Sequence, residues 1–142
     1  MGDDSTTTFG FVCVRNAGRS QMSAAFAEGE RARRGLEERV EVLSGGTHPA
    51  DEVHEVVVAA MAEVDVDVSG RTPTTVSTTA LESCDVVATM GCSTLELDAD
   101  DVEVRDWALA DPGGEPVERV REIRDEVERR VQALFDEFHG AN

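Results

Sequence analysis

The stretch FGFVCV, at Phe9–Val14, is a short run of apolar and β-favouring residues without a charge. Such a run is typical of a strand buried on both faces of a sheet, and both faces must then be covered by other elements. Further strands are predicted at Val40–Ser44, at Cys84–Met90 and, from a weaker pattern, at Val102–Trp107. Because these runs alternate with helical segments, the sequence predicts a parallel sheet.

Three segments between and after these strands have helical character. An alanine- and glutamate-rich stretch extends from Gln21 to Gly35, and Ala50–Val64 carries apolar residues at helical spacing. The segment Glu115–Phe138 is a long amphipathic helix by the same criterion. The threonine-rich segment Arg71–Thr79 is expected to be a loop.

The predicted fold is a single α/β domain with a four-stranded parallel sheet and helices on both faces, in the flavodoxin-like strand order 2-1-3-4. The domain is expected to occupy residues 9–139, after a flexible, acidic and threonine-rich tail at residues 1–8. Open sheets of this kind bind ligands beyond the carboxyl ends of their strands. Cys13 is predicted to lie at that end of the first strand, which makes it a candidate site residue.

The charge balance of the 142-residue chain is strongly acidic. There are 30 acidic residues against 13 basic ones, all arginine, and the net charge is −17. Self-repulsion of this size opposes compaction in dilute buffer and is screened at molar salt, so the composition predicts a halophilic protein. It also argues against nucleic acid or an anionic membrane as a partner. We expect a cytoplasmic protein, since the sequence shows neither an apolar run long enough to span a membrane nor a secretory signal.

The thiols and imidazoles are few and dispersed. The cysteines are Cys13, Cys84 and Cys92, an odd number without a CxxC pair, and the three histidines form no cluster. We therefore expect no structural disulfide and no metal site. Cys84 opens the third predicted strand, so it is expected to lie across the sheet from Cys13 and to be a core residue.

The octapeptide CVRNAGRS follows the first strand and leads into a helix that is predicted to begin near Ser20. A helix start offers unsatisfied N–H groups and a positive potential, so a loop here can encircle a tetrahedral oxyanion. The same field stabilises an ionised thiolate, which makes Cys13 a candidate nucleophile. The residues predicted to bind the oxyanion are Val14, Arg15, Asn16, Ala17, Gly18, Arg19 and Ser20.

Individual roles within this loop follow from side-chain chemistry. Arg19 can present a planar fork of donors to two oxygens, and Gly18 lets the backbone approach the anion closely. Asn16 can brace the loop through hydrogen bonds to neighbouring backbone. Ser20 is expected to donate to the Cys13 sulfur while it caps the helix.

This loop closely resembles the Cys-x5-Arg-Ser signature of the low-molecular-weight protein tyrosine phosphatases and the related thiol-dependent arsenate reductases. The resemblance continues in order over nearly the whole chain, and CVRNAGRSQM as a whole is more similar to the reductases. The matching stretches are Gly45–Val53, Ala59–Ser69, Asp85–Ser93, Asp106–Pro112 and Arg121–Val131.

The resemblance implies two further site residues. Asp111, before Pro112, matches the general acid of the family, which protonates the departing oxygen. Cys92 aligns with a thiol of similar arsenate reductases, and both a redox role and an inert position stay open for it. Tyrosine phosphatases of this type carry a tyrosine after Asp-Pro, whereas this chain has Gly113 and Gly114 and no tyrosine at all.

The preferred function is that of an arsenate reductase in which Cys13 attacks arsenate and a second or external thiol resolves the adduct. Many relatives carry another cysteine after the position of Cys92, but Ser93–Asp101 contains none. A redoxin or a low-molecular-weight thiol is therefore expected as reductant, with no bound cofactor. Two alternatives stay open: a phosphatase that hydrolyses phosphomonoesters through a Cys13 phosphoenzyme, and a non-catalytic oxyanion-binding module.

Overall fold

The computed structural model describes residues 6–46, 48–90, 102–107, 109–110 and 112–139. Within these residues four parallel strands form one sheet in the order β2-β1-β3-β4. The strands are β1 (Thr7–Cys13), β2 (Val40–Gly46), β3 (Val86–Met90) and β4 (Glu103–Asp106). The predicted strand number, order and direction are confirmed.

Helices cover both faces of this sheet. They are α1 (Arg19–Arg33), α2 (Glu55–Ala62), α3 (Thr78–Glu82) and α4 (Val117–His139). Side chains of α1, α2 and α4 belong to the larger core cluster, and α3 contributes Leu81 to a smaller cluster. The α/β prediction with helices on both faces is therefore confirmed.

From Phe9 to Cys13 the first strand is apolar because each of its faces meets one of these clusters. Phe9 and Phe11 belong to the larger cluster, whereas Val12 packs with Leu81 and Cys84 in the smaller one. All five of these residues are at most 3 % exposed to solvent. A strand in this position cannot alternate apolar with polar residues, which is why its sequence pattern is continuous.

The strand bounds differ slightly from the predicted ones. β1 begins at Thr7, so Thr7 and Thr8 belong to the sheet and not to the tail. β3 begins at Val86, two residues after Cys84. The backbone N–H of Cys84 donates to the Leu81 carbonyl at 3.0 Å, which closes a turn before the strand. Cys84 is buried at the amino-terminal end of β3, in agreement with its predicted role as a core residue.

Helix α2 is shorter than the predicted Ala50–Val64 because the residues before it form hydrogen bonds to the loop after β1. The N–H groups of His48, Ala50 and His54 donate to the carbonyls of the loop after β1, at 2.7, 2.9 and 3.0 Å. A chain that follows this loop cannot also wind as a helix, so α2 begins only at Glu55. Periodicity in the sequence could not reveal this competition, since the partners are more than 30 residues away.

A short helix, α3, lies partly within the segment that was predicted to be a loop. Its N-cap is Ser77, whose side chain accepts a hydrogen bond from Ala80 N at 3.1 Å. Serine is a favoured N-cap residue, so a helix start was detectable here. The threonine-rich composition of Arg71–Thr79 outweighed this signal, and the prediction of a loop as far as Thr79 is wrong.

Candidate active site

Cys13 is the last residue of β1 and lies in the middle of the carboxyl edge of the sheet. It pairs with Gly46 of β2 on one side and with Met90 of β3 on the other. The next residues, 14–18, form the loop that leads into α1. A Cβ on Gly46 would lie 2.6 Å from the Val14 carbonyl oxygen and 3.0 Å from Asn16 N, so only glycine allows β2 to approach this loop.

The Cys13 thiol is buried among hydrogen-bonding groups. Its sulfur is 3.0 Å from Ser20 Oγ, and Asn16 N donates to it at 3.2 Å. The side chain is only 2 % exposed. An ionised sulfur can only accept, so both neighbours can act as donors to a Cys13 thiolate, as the nucleophile hypothesis requires.

Asn16 fixes this arrangement from inside the loop. Its backbone has a φ of 53°, in the left-handed region that asparagine tolerates better than most residues. Its amide nitrogen donates to Ser20 Oγ at 2.6 Å, while its oxygen accepts from Gln21 Nε2 at 2.9 Å and from Thr74 N at 3.0 Å. The predicted brace is thus present, and it acts through a side chain as well as through backbone.

Gln21 and Thr74 were not anticipated as contributors to this network. Gln21 is 2 % exposed, and a polar residue on the buried face of an alanine-rich helix is a usable signal in the sequence. Thr74 contributes only its backbone N–H, for which the sequence carries no signal. The loop around Cys13 is therefore supported from α1 and from the segment before α3 together.

Ser20 does not cap α1, contrary to prediction. The N-cap is Gly18, which makes no side-chain capping bond, and the helix begins at Arg19. Ser20 therefore lies within the first turn, where its hydroxyl forms hydrogen bonds with the Asn16 side chain and the Cys13 sulfur. Because the N-cap residue has no capping side chain, the positive end of the α1 dipole is directed at the loop.

Arg19 projects from the first turn towards the chain before Pro112. Its Nη1 donates to the Leu109 carbonyl at 3.1 Å, and the side chain is partly buried. Pro112 approaches the loop as well, since a Cβ on Gly18 would lie 2.6 Å from Pro112 Cγ. The segment that carries Pro112 is therefore seated against the loop that carries Cys13.

Two predicted site residues, Asp111 and Cys92, lie outside the described residues. Their neighbours in sequence are described: Pro112 directly follows Asp111, and Met90, two positions before Cys92, pairs with Cys13 in the sheet. The other seven predicted site residues, Val14, Arg15, Asn16, Ala17, Gly18, Arg19 and Ser20, surround or follow Cys13 in the loop and the first turn of α1.

Cys84 differs from Cys13 in both position and environment. Burial raises the pKa of the Cys84 thiol to about 11, with further contributions from the carboxylates of Asp85 and Glu41. Its thiol donates to the Ala80 carbonyl at 3.7 Å. It is therefore a neutral thiol at physiological pH and a poor nucleophile.

The described part of the chain contains neither a metal-binding cluster nor a membrane-spanning helix. No group of three or more His, Cys, Asp or Glu side chains in it is arranged to hold a metal ion. No helix in it combines the length and the apolarity needed to cross a membrane.

A strand, a Cys-x5-Arg-Ser loop and an uncapped helix are joined in this order at the edge of the parallel sheet, an arrangement that can hold an oxyanion next to a thiol. The chain belongs to the low molecular weight phosphotyrosine protein phosphatase family, whose model matches residues 8–141. It is thus a member of a family of enzymes, and relatives named as arsenate reductases fall within it.

Three relatives show where in the family the chain lies. It is 70% identical over 139 residues to a putative arsenate reductase of Halobacterium salinarum, covering 98% of each chain. It is 35% identical over 129 residues to the glutaredoxin arsenate reductase of Synechocystis sp., covering 88% of this chain and 93% of the relative. A solved thioredoxin-dependent arsenate reductase of Corynebacterium glutamicum superposes with a TM-score of 0.75 at 28% identity, over 94% of this chain and 61% of that one.

Proposed function

We propose that the protein is an arsenate reductase that uses Cys13 as its nucleophile. The observation that carries the proposal is the buried Cys13 sulfur within hydrogen-bond distance of Ser20 Oγ and Asn16 N, at the start of an uncapped helix. This arrangement supports a thiolate next to a binding loop for a tetrahedral oxyanion. The 70% identical relative named as a putative arsenate reductase supports arsenate as that oxyanion.

The first step joins Cys13 to arsenic. The Cys13 thiolate attacks arsenic in arsenate, an oxygen leaves as water after protonation, and a Cys13–S–As(V) adduct remains. Arg19 and the loop N–H groups hold the other oxygens. Asp111 is the proposed proton donor, and the contact of its sequence neighbour Pro112 with Gly18 supports this role.

The second step reduces arsenic and oxidises sulfur. A second thiol attacks the Cys13 sulfur, the S–As bond breaks with both electrons going to arsenic, and arsenite leaves as a disulfide forms. We propose Cys92 or an external thiol for this attack. Similarity to a glutaredoxin arsenate reductase and to a thioredoxin-dependent arsenate reductase supports a redoxin as a partner.

Phosphomonoester hydrolysis is the second candidate function. It requires the same loop and the same acid but no second thiol, and the family to which the chain belongs is named for phosphatases. Gly113 and Gly114 follow Pro112 where a phosphotyrosine ring would need an aromatic contact, so the sequence favours the smaller substrate.

The test is a parallel assay of arsenate reduction and aryl phosphate hydrolysis with wild-type protein and Cys92→Ser. If Cys92 resolves the adduct, arsenate without reductant yields a Cys13–Cys92 disulfide, and the variant loses multiple turnovers but keeps aryl phosphate hydrolysis. If an external thiol resolves it, the variant stays active and a mixed disulfide on Cys13 is seen by mass spectrometry. Brisk ester hydrolysis with neither disulfide after arsenate exposure rejects the reductase.

We also propose a cytoplasmic location and a working environment of high salt. Reduced thiols are essential to the proposed chemistry, and the cytosol keeps cysteines reduced. The excess of 30 acidic over 13 basic residues supports adaptation to screening by salt.

A further inference from the structure

Arg15 is an exposed cation next to the catalytic thiol. It is two positions after Cys13, and the peptide that joins it to Asn16 directs its N–H at the Cys13 sulfur over 3.2 Å. An N atom is about 2.4 Å from the preceding Cα, so the Arg15 Cα lies within roughly 6 Å of that sulfur. The arginine side chain is long enough for its charge to come close to a molecule that is bound at that sulfur.

The backbone of Arg15 is held on both sides. The carbonyl of Val14 accepts from His48 N at 2.7 Å, and the carbonyl of Arg15 accepts from Ala50 N at 2.9 Å. These bonds fix the two peptide groups that flank the Arg15 Cα. The direction in which the side chain leaves the loop is therefore determined by the fold.

The guanidinium of Arg15 has no carboxylate partner among the described residues. Nine other arginines form ion pairs there. In a chain with 30 acidic residues, an exposed arginine without such a partner, two positions after Cys13, has its charge available to a ligand.

Arg15 and Arg19 differ in a way that suits two different anions. Arg19 is partly buried and anchored on the Leu109 carbonyl, as expected for a residue that holds the oxyanion inside the loop. Arg15 also belongs to the loop, but its side chain is exposed to solvent. The reactant that meets the Cys13 adduct from solvent is the resolving thiol.

We propose that Arg15 recognises the carboxylate of a small anionic thiol that resolves the Cys13 adduct. The proposal rests on the proposed reductase function. The thiol loses its proton, its sulfur bonds to the Cys13 sulfur, and the S–As bond breaks with its electron pair going to arsenic. The products are a mixed disulfide and arsenite, which takes up the proton, so that arsenic gains two electrons and the two sulfurs lose one each.

The first test uses the charge of an alkylating agent and needs no arsenate. Iodoacetate and iodoacetamide share the same reacting carbon and differ in charge, and peptide mass spectrometry reports the labelling rate of Cys13 alone. At the lowest salt concentration at which the protein stays folded, we expect the iodoacetate-to-iodoacetamide rate ratio to fall about three- to tenfold in Arg15→Gln, since molar salt would screen the charge. This is the effect of one charge roughly 7 Å away at an effective dielectric constant of about 40 to 80.

Two further variants separate charge from structure. Arg15→Lys keeps the charge, so it should retain most of the wild-type ratio. Arg39→Gln removes the same charge at the amino-terminal edge of the sheet, where Arg39 precedes β2, and should leave the ratio unchanged. A ratio that is equal in wild type and Arg15→Gln, or that falls equally in Arg39→Gln, overturns the proposal.

The second test uses the proposed ligand class directly. Cys13 is converted to its methyl disulfide, and reduction by 3-mercaptopropionate is compared with reduction by 2-mercaptoethanol. We expect Arg15→Gln to slow the anionic thiol three- to tenfold more than the neutral thiol. If small thiols react independently of their charge while a redoxin supports turnover, the small-thiol proposal is wrong.

The two proposals fail in different ways. If both charge effects are found but arsenate never consumes thiol, Arg15 recognises anionic thiols and the arsenate reductase function is rejected. If arsenate is reduced at the same rate by anionic and neutral thiols in wild type and Arg15→Gln, the function stands and the role of Arg15 is rejected.

Discussion

Asn16 donates from its amide nitrogen to Ser20 Oγ at 2.6 Å, and this bond ties the loop after β1 to the first turn of α1. Ser20 Oγ in turn lies 3.0 Å from the Cys13 sulfur. The nucleophile is thus oriented by a side chain that is itself held in place. Substitution of Asn16 therefore tests the orientation of Cys13 without a change to Cys13 itself.

Replacement of Asn16 by glycine and by alanine should have different costs. Glycine accepts the φ of 53° without strain, so Asn16→Gly removes only the side-chain hydrogen bonds. We expect it to slow alkylation of Cys13 by iodoacetamide about tenfold, the factor for a lost bond worth roughly 1.4 kcal/mol. The free energy of unfolding in urea should be about 1 kcal/mol lower for Asn16→Ala than for Asn16→Gly, because alanine is strained at this φ. Labelling of Asn16→Gly at the wild-type rate would contradict the orienting role.

Replacement by alanine should lower the stability of the protein at Gly18, in the loop, and raise it at Gly29, in α1. A Cβ on Gly18 would meet Pro112 Cγ at 2.6 Å, whereas a Cβ on Gly29 meets nothing within 4 Å. We expect Gly18→Ala to lose about 1–3 kcal/mol of stability and to slow single-turnover aryl phosphate cleavage. Gly29→Ala should gain roughly 0.5–1 kcal/mol with unchanged cleavage, since alanine is the better helix former. Equal cleavage rates in the two variants would count against the seating of Pro112 on the loop.

Arg19→Lys should weaken oxyanion binding without unfolding the protein. Lysine cannot supply the planar fork of donors, and it also replaces the guanidinium that donates to Leu109 O at 3.1 Å. We expect the inhibition constants of phosphate and arsenate to rise about tenfold or more, a change that corresponds to the loss of a charge-assisted bond. Arg39→Lys is the matched control. Inhibition constants within twofold of wild type in Arg19→Lys would remove Arg19 from the binding site.

Because burial raises the pKa of the Cys84 thiol, we expect the protein to lose stability in alkaline solution. The pKa of the folded thiol is raised to about 11 from 9.0, so the unfolded chain releases this proton at lower pH than the folded one. Stability is fully present below pH 9 and declines as the pH rises towards 11. The free energy of unfolding in urea should fall less steeply over this range in Cys84→Ala than in wild type. Identical slopes for the two proteins would show that Cys84 ionises equally in both states.

Salt should stabilise the protein over an unusually wide range. The net charge of −17 produces repulsion that is screened over about 10 Å at 0.1 M salt and about 3 Å at 1 M. We expect the midpoint of thermal unfolding to rise continuously from 0.1 to 2 M potassium chloride. Solvent-exposed ion pairs, such as that of Glu63 with Arg121, contribute too little to reverse this trend. A midpoint that is flat or falls with salt would contradict the halophilic interpretation.

Some features of the fold were visible in short stretches of sequence. The continuous apolar run of β1 predicted burial on both faces, and the structure confirms it through Phe11 on one side and Val12 on the other. The position of Cys13 at the carboxyl edge followed from the same run. The start of α2 could not be predicted, because His54 N is committed to the Ala17 carbonyl in a distant loop.

The sequence by itself determined the proposed nucleophile, its loop and the strand order, since each depends on local pattern and on the few topologies open to alternating strands and helices. Only the tertiary structure decided which groups orient that nucleophile. Gln21 and the backbone of Thr74 meet at Asn16 from separate elements. Hydrogen bonds between distant segments form when packing brings them together, and a backbone donor such as Thr74 N is the same in every residue except proline, so its partner leaves no trace in the sequence.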